Sequence, residues 1–215
     1  MSGEIRALLI VGAGYFLGGV PFGLLIARWV AGIDVREHGS GNIGATNVYR
    51  VVGWKAGVAV WVLDVAKGLL PVVVADRLLI PTGWQLGAGL AALVGHSFSP
   101  FLRFRGGKGG ATGLGVLLGL MWPVGLLAFG VWALVLLLTG YVSLGTICGA
   151  ASLTPFTLWL YPGDTERLLF AIIGGGLTIA RHHSNIRRLF NGTENRFGRL
   201  GLFRKAKNST DKHSD

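Results

Sequence analysis

Residues 109–163 read GGATGLGVLLGLMWPVGLLAFGVWALVLLLTGYVSLGTICGAASLTPFTLWLYPG, 55 positions without one Asp, Glu, Lys or Arg. About 20 such residues cross the ~30 Å hydrocarbon core of a bilayer, so this stretch alone is long enough to cross more than once. Further uncharged runs extend the pattern toward the N-terminus, 25 residues from Leu78 to Leu102 and 21 from Ala7 to Ala27. Over all 215 residues 51% are hydrophobic and 14% charged, where a soluble domain carries roughly a quarter charged. The chain therefore reads as an all-α polytopic membrane protein. Its 36 glycines have no collagen period and suit close-packed membrane helices, with small-xxx-small pairs at Gly14/Gly18, Gly19/Gly23, Gly53/Gly57, Gly115/Gly119 and Gly145/Gly149.

Charge is placed as well as scarce. The net charge is +10, and nine of the 20 basic residues fall from Arg181 onward, against only Glu194, Asp211 and Asp215. That bias is the mark of a cytoplasmic membrane face and argues against a nucleic-acid partner. The one cysteine, Cys148, excludes an internal disulfide and a thiolate metal cluster and reads as a small buried residue. The N-terminal run is too long for a signal-peptide core and reads as a retained first span.

Cutting the chain at its punctuation gives spans at about 5–30 (interrupted by Pro21), 51–75, 84–101, 111–121, 124–138, 142–161 and 165–180. Basic loops after the first and third spans and a basic tail require an even number of crossings between Lys108 and Arg181. Four fit, which makes about seven transmembrane helices, some short, with the N-terminus outside and the C-terminus inside. The rival count is five or six with a re-entrant piece near 109–138. Residues 1–198 form a single transmembrane domain on this reading, and 199–215 a basic, disordered cytoplasmic tail. Asp64 and Lys67, in the second span, share a helix face.

Three polar motifs fall on the cytoplasmic side. The first, GSGNIGATN (39–47) followed by Arg50, sets Ser40, Asn42, Thr46, Asn47 and a guanidinium among glycines, a mixture that binds anions. In the second, RFRGGKGGAT (103–112), four glycines surround Lys108 just before an apolar helix, so free N–H groups and the helix dipole would meet a phosphate there. Lys108 is followed by Gly109, which rules out a Walker A loop. The third, RHHSNIRR (181–188), continues to Asn191, Gly192, Thr193 and Glu194. On a helix Arg181, Asn185 and Arg188 share a face with His182 beside them. The adjacent histidines point about 100° apart and make poor metal ligands, so no metal is expected.

In order and spacing the stretches GSGNIGATNVYRVVGWKAG, LDVAKG, GHSFSPFLRFRGGKGGATGLG and RHHSNIRRLFNGTE resemble the bacterial acyl-phosphate-dependent glycerol-3-phosphate acyltransferase family, integral membrane enzymes of phospholipid biosynthesis. The family usually reads GGKGVATG, so Gly110 departs from it, as does the placing of Pro100 after Ser99. The resemblance implies transfer of a fatty acyl group from acyl phosphate to the 1-hydroxyl of sn-glycerol 3-phosphate, giving 1-acyl-glycerol 3-phosphate (lysophosphatidic acid) and inorganic phosphate. It implies no cofactor, membrane lipid as surroundings, and a bacterial inner-membrane location with the site at the cytoplasmic face.

Carried onto this chain, the resemblance gives Ser40, Arg50, Lys108, His182 and Asn185 as catalytic. Substrate binding falls to Gly41, Asn42, Asn47, Lys67, His96, Gly106, Gly107, Gly109, Thr112, Arg188 and Glu194. The glycine loop with Lys108 is expected to hold glycerol 3-phosphate, while Ser40, Arg50, His182 and Asn185 cradle the acyl phosphate and its developing oxyanion; the converse assignment stays open. Asp64 and Lys67 are expected near the cytoplasmic mouth as a pair that orders the site, and Glu194 to hold the third motif in place. An anion transporter is the alternative, against which stand the absence of repeated halves and the gathering of polar groups on one side.

Overall fold

The structure, a computed structural model, describes residues 2–197, and the expected tail at 199–215 lies outside them. The first span forms α1 (Gly3–Gly19) and α2 (Phe22–Ala31). Ser2 caps α1, its Oγ accepting from the Ile5 N–H at 3.4 Å, and Pro21, which cannot donate, separates the two helices. Gly32 ends α2 in the left-handed region at φ 67°, the common helix stop.

The connection between the first two expected spans is not irregular throughout: Ala45–Val51 is a helix, α3. One apolar residue, Val48, is buried from it against Leu24 and Val35, and seven residues are too few for periodicity to reveal them. The long helix α4 (Trp54–Arg77) follows. The third span is α5 (Thr82–Ser97), which stops short of the expected Phe101. The residue before a proline avoids helical backbone, and Ser99 precedes Pro100 in an extended conformation before a short 3-10 turn at Pro100–Leu102.

The uncharged 55 residues divide into α6 (Gly110–Leu120), α7 (Trp122–Thr139), α8 (Val142–Ala151) and α9 (Leu153–Leu160). Met121 leaves the helical region at φ −152°, so α6 and α7 do not run through Pro123 as one helix. The last helices among the described residues are α10 (Thr165–Arg181), capped by Asp164, and α11 (His183–Phe190). By length and composition four stretches can cross a membrane: Gly3–Ala31, Trp54–Arg77, Trp122–Thr139 and Val142–Leu160.

Missing side chains set the packing. A Cβ on Gly18 of α1 would stand 2.1 Å from the Ala92 carbonyl oxygen of α5, and one on Gly115 of α6 would stand 1.9 Å from that of Val65 in α4. Backbones can approach this closely only where glycine sits. The large side chains left exposed, among them Leu8, Leu9, Phe16, Leu134, Leu137, Leu138 and Trp159, are those of a surface facing lipid. Inside, Lys67 Nζ lies 2.7 Å from Asp64 Oδ1 and donates to the Val20 carbonyl at 2.8 Å, where α1 gives way to α2.

Candidate active site

The first motif is folded around one amide. Asn47 is buried; its Oδ1 accepts from the Ser40 N–H at 2.8 Å, and its Nδ2 donates to the carbonyls of Val35, His38 and Asn42 at 2.9–3.1 Å. Gly39 turns through φ 61°, and a Cβ there would meet Asn47 Oδ1 at 2.4 Å. Asn47 thereby spends both ends of its amide on the loop and presents Ser40 and Asn42 to a cavity. Below, Asp34 takes Arg28 and Arg36 at 2.9 and 2.6 Å; the hydrogen bond from Arg36 holds its carboxyl well below the usual range.

The second motif is a strained turn over the end of α5. Arg103 and Phe104 both hold positive φ, 50° and 62°, which costs of order 1–3 kcal/mol per residue and needs surrounding structure to hold it. That structure is visible. The N–H groups of Gly106 and Gly107 donate to the carbonyls of Ser97 and His96 at 3.2 and 2.9 Å, and Arg181 donates to the carbonyls of Gly107 and Gly106, each at 3.2 Å. Gly109 then caps α6 at φ 83°, leaving the first N–H groups of that helix beside Lys108 without intrahelical partners.

The third motif joins the other two. Lys108 Nζ donates to Asn185 Oδ1, Asn185 Nδ2 donates to Glu194 Oε1 at 2.7 Å, and Glu194 also receives Ser143 Oγ at 2.8 Å and Arg188 Nε at 2.7 Å. Burial pulls the Glu194 carboxyl upward, but the donors Ser143, Asn185 and Arg188 outweigh it and leave it below the usual range. Burial, and next the charge of Arg188, lowers Lys108 to about 8. His182 falls to about 4, chiefly through burial. Its Nδ1 lies 2.7 Å from the Thr178 carbonyl, an acceptor only, so Nδ1 carries the proton and Nε2 the lone pair.

These groups surround a cavity of about 220 Å³ with a polar mouth and an apolar floor. Ser40, Asn42, Asn47, Arg50, His96, Lys108, Gly109, His182, Asn185, Arg188 and Glu194 all line it, with Asp64 beside His96. The floor is built from α6 to α9 by Leu114, Leu117, Ala128, Phe129, Trp132 and Leu153, Phe129 and Trp132 being stacked at 5.2 Å. A second cavity of about 160 Å³ shares Ser40, Asn42, Lys108 and Arg188 with the first and adds Gly41, Gly106, Arg181 and Ser184.

Three expected site residues line neither cavity: Lys67, whose ammonium is turned to Asp64 and Val20; Gly107, packed on His96; and Thr112, fully buried with its Oγ1 unpartnered. Conversely, sequence reasoning passed over Ser143 and Thr146, the first polar residues of α8, and left Arg181 and Ser184 without a role. The available signal for the first pair was two hydroxyls three residues apart in an otherwise apolar run. A carboxylate from another segment, Glu194, was needed to show where one of them points.

The chain as a whole is similar to known proteins. Residues 8–192 match the family described as glycerol-3-phosphate acyltransferase. The protein so named from Geotalea daltonii is 45% identical over 199 residues, covering 93% of this chain and 100% of the relative. That from Desulforudis audaxviator is 46% identical over 194 residues, covering 90% and 96%. Among solved structures, PlsY, an integral membrane glycerol 3-phosphate acyltransferase, superposes in its glycerol 3-phosphate form with a TM-score of 0.87 at 41% identity, over 93% of this chain and 100% of the other. Its lysophosphatidic acid form gives 0.82 at 42% identity, over 90% and 96%.

Proposed function

Because the chain belongs to the glycerol-3-phosphate acyltransferase family, we propose that it moves a fatty acyl group from an acyl phosphate to the 1-hydroxyl of sn-glycerol 3-phosphate. The 1-hydroxyl oxygen bonds to the acyl carbon, the bond from that carbon to the phosphate oxygen breaks, and inorganic phosphate departs with the electron pair. The hydroxyl proton passes to His182 Nε2 or to a substrate phosphate. The product is 1-acyl-glycerol 3-phosphate. In this reading the enzyme crosses a bacterial inner membrane seven times and works at the cytoplasmic face.

The observation that carries the reading is the chain of contacts Lys108–Asn185–Glu194, with Arg188 and Ser143 on the same carboxylate. It draws the second and third motifs into one cationic mouth above an apolar floor, a shape suited to a head that is phosphorylated and a tail that is hydrocarbon. Lys108 and the N-terminus of α6 serve the phosphate of glycerol 3-phosphate. Ser40, Arg50, His182 and Asn185 serve the acyl phosphate, and Phe129, Trp132 and Leu153 its chain. Orientation of two bound substrates and stabilisation of the oxyanion supply the rate.

Purified protein supplied with palmitoyl phosphate should release inorganic phosphate only when glycerol 3-phosphate is present, with one lysophosphatidic acid per phosphate. Equal turnover with a palmitoyl thioester in place of the acyl phosphate would refute the donor assignment.

A further inference from the structure

Two imidazoles line the main cavity, His182 and His96, and both are buried. In each, Nδ1 is turned into the protein. For His182 the partner is the Thr178 carbonyl. For His96 the facing group is the Asp64 carboxylate, whose Oδ1 stands 3.9 Å from Nδ1, beyond hydrogen-bond reach, both atoms being buried without a hydrogen bond among the described residues; a negative charge on that side favours the tautomer with the proton on Nδ1. Asp64 is itself held by Lys67, and Lys67 by the Val20 carbonyl. The free end of the His96 ring lies against Gly107, where a Cβ would stand 2.2 Å from Nε2, one residue from Lys108. Among the described residues that nitrogen makes no hydrogen bond. An acceptor left without a partner at a cavity wall gains from a ligand that brings a donor.

Glycerol 3-phosphate brings two hydroxyls, and only one is acylated. The 2-hydroxyl is the nearer to the phosphate along the molecule, and His96 is the imidazole packed under the glycine loop that grips phosphate. His182 stands at the junction of α10 and α11, beside Asn185. We propose that His96, positioned through Asp64 and Lys67, accepts the hydrogen bond of the 2-hydroxyl and thereby leaves the 1-hydroxyl as the one presented to His182 and the acyl carbon; this rests on the acyltransferase reading above. Gly107 lacks a side chain, on this account, because any Cβ would push His96 off the substrate. Asp64 and Lys67 are then positioning residues, which accounts for an ion pair within an apolar helix.

The test compares glycerol 3-phosphate with 3-hydroxypropyl phosphate, which keeps the phosphate and the reacting primary hydroxyl but lacks the 2-hydroxyl. In the wild type kcat/KM should favour glycerol 3-phosphate by about tenfold or more, the worth of one well-made hydrogen bond. In His96→Ala the ratio should fall close to one, because residue and hydroxyl report the same contact, whereas a structural loss would slow both substrates alike and leave the ratio unchanged. If His96→Ala is not recovered folded, Asp64→Asn, which keeps the carboxylate's shape, should lower the ratio by itself. An unchanged ratio in the recovered variant, or a wild-type ratio near one, overturns the assignment. A wild type inert toward glycerol 3-phosphate overturns the acyltransferase reading itself.

Discussion

Lys108 stays in place because three segments hold it: the glycine turn on either side, Asn185 at its ammonium, and Glu194 behind Asn185. Lys108→Ala should leave the protein folded in the membrane, since the turn is held independently by Arg181 and by the carbonyls of His96 and Ser97. A lost charge-assisted contact of ~1.5–3 kcal/mol corresponds to a fall of roughly tenfold to a hundredfold in kcat/KM, and near-normal kinetics would reduce Lys108 to a membrane anchor. Lys108 is lowered to about 8, chiefly by burial. Its ammonium is therefore complete below that pH and lost above it, and affinity for glycerol 3-phosphate should decline as pH rises through about 8, a limb absent from Lys108→Arg. Ser40 is the residue placed where a nucleophile could be sought, but among the described residues no hydrogen bond joins its hydroxyl to a base; Ser40 is held through its N–H, which donates to Asn47 Oδ1. Acyl transfer should then be a single displacement, helped by the good leaving group of a mixed anhydride. Ser40→Ala should weaken turnover without abolishing it, and acyl label trapped on the protein at the rate of turnover, with acyl phosphate alone, would sink the single-step scheme.

At the scale of helices, glycine does what large side chains do in a water-soluble core. Lipid offers no hydrophobic drive for two helices to meet, so their association rests on close contact. Gly115 of α6 and Gly68 of α4 form one such contact, with Cβ positions that would fall 1.9 Å from the Val65 oxygen and 2.1 Å from the Thr112 oxygen. Gly115→Leu should separate α6 from α4 and carry Lys108 and Gly109 with it. We expect a destabilisation of ~1–3 kcal/mol, read as a lower unfolding midpoint in detergent, together with lost activity; Gly130→Ala, where a Cβ meets nothing within 4 Å, should change neither. The order of helices was legible in the sequence because uncharged runs and prolines mark spans and breaks without help from tertiary contacts. Helix α3 was not, since its seven residues are ordered by Asn47 and by the burial of Val48. Much the same divides the site: glycines, lysine and arginines announced themselves by local spacing, and so did the Asp64–Lys67 pair. Ser143 depends on Glu194, 51 residues away, and no periodicity carries information over that distance.

Over the whole molecule, the contacts between motifs constrain how the chain threads the membrane. Lys108, Asn185 and Glu194 are bonded in series, and Arg50 reaches the Asn195 carbonyl at 3.4 Å. Groups in direct contact share a depth, so the segments bearing them must emerge on one face. An even number of crossings must then separate each from the next. Two helices, α4 and α5, lie between Arg50 and Arg105, and on the seven-span proposal four crossings (α6, α7, α8 continued by α9, and α10) lie between Arg105 and Arg188. Both numbers are even, provided α6 counts as a crossing although its 11 residues extend only ~16 Å, about half the hydrocarbon core. That shortness is tolerable if the glycine turn before α6 lies below the surface in a cavity that water enters, which is where backbone outside a helix is allowed at membrane depth. On the proposed reading that face is the cytoplasmic one, as expected where lysine and arginine are in excess. Single cysteines at 50, 105 and 188 in a Cys148→Ser background should therefore resist a membrane-impermeant maleimide in intact cells and react once the cells are opened, while one in the turn at 140, after the fifth span, should do the same. One at 163, between α9 and α10, should react from outside. Labelling at 188 from outside would break the parity and with it the seven-span arrangement; labelling at 140 from outside, with 105 and 188 still protected, would make α6 and α7 together a single crossing and leave only one more for α8 to α10.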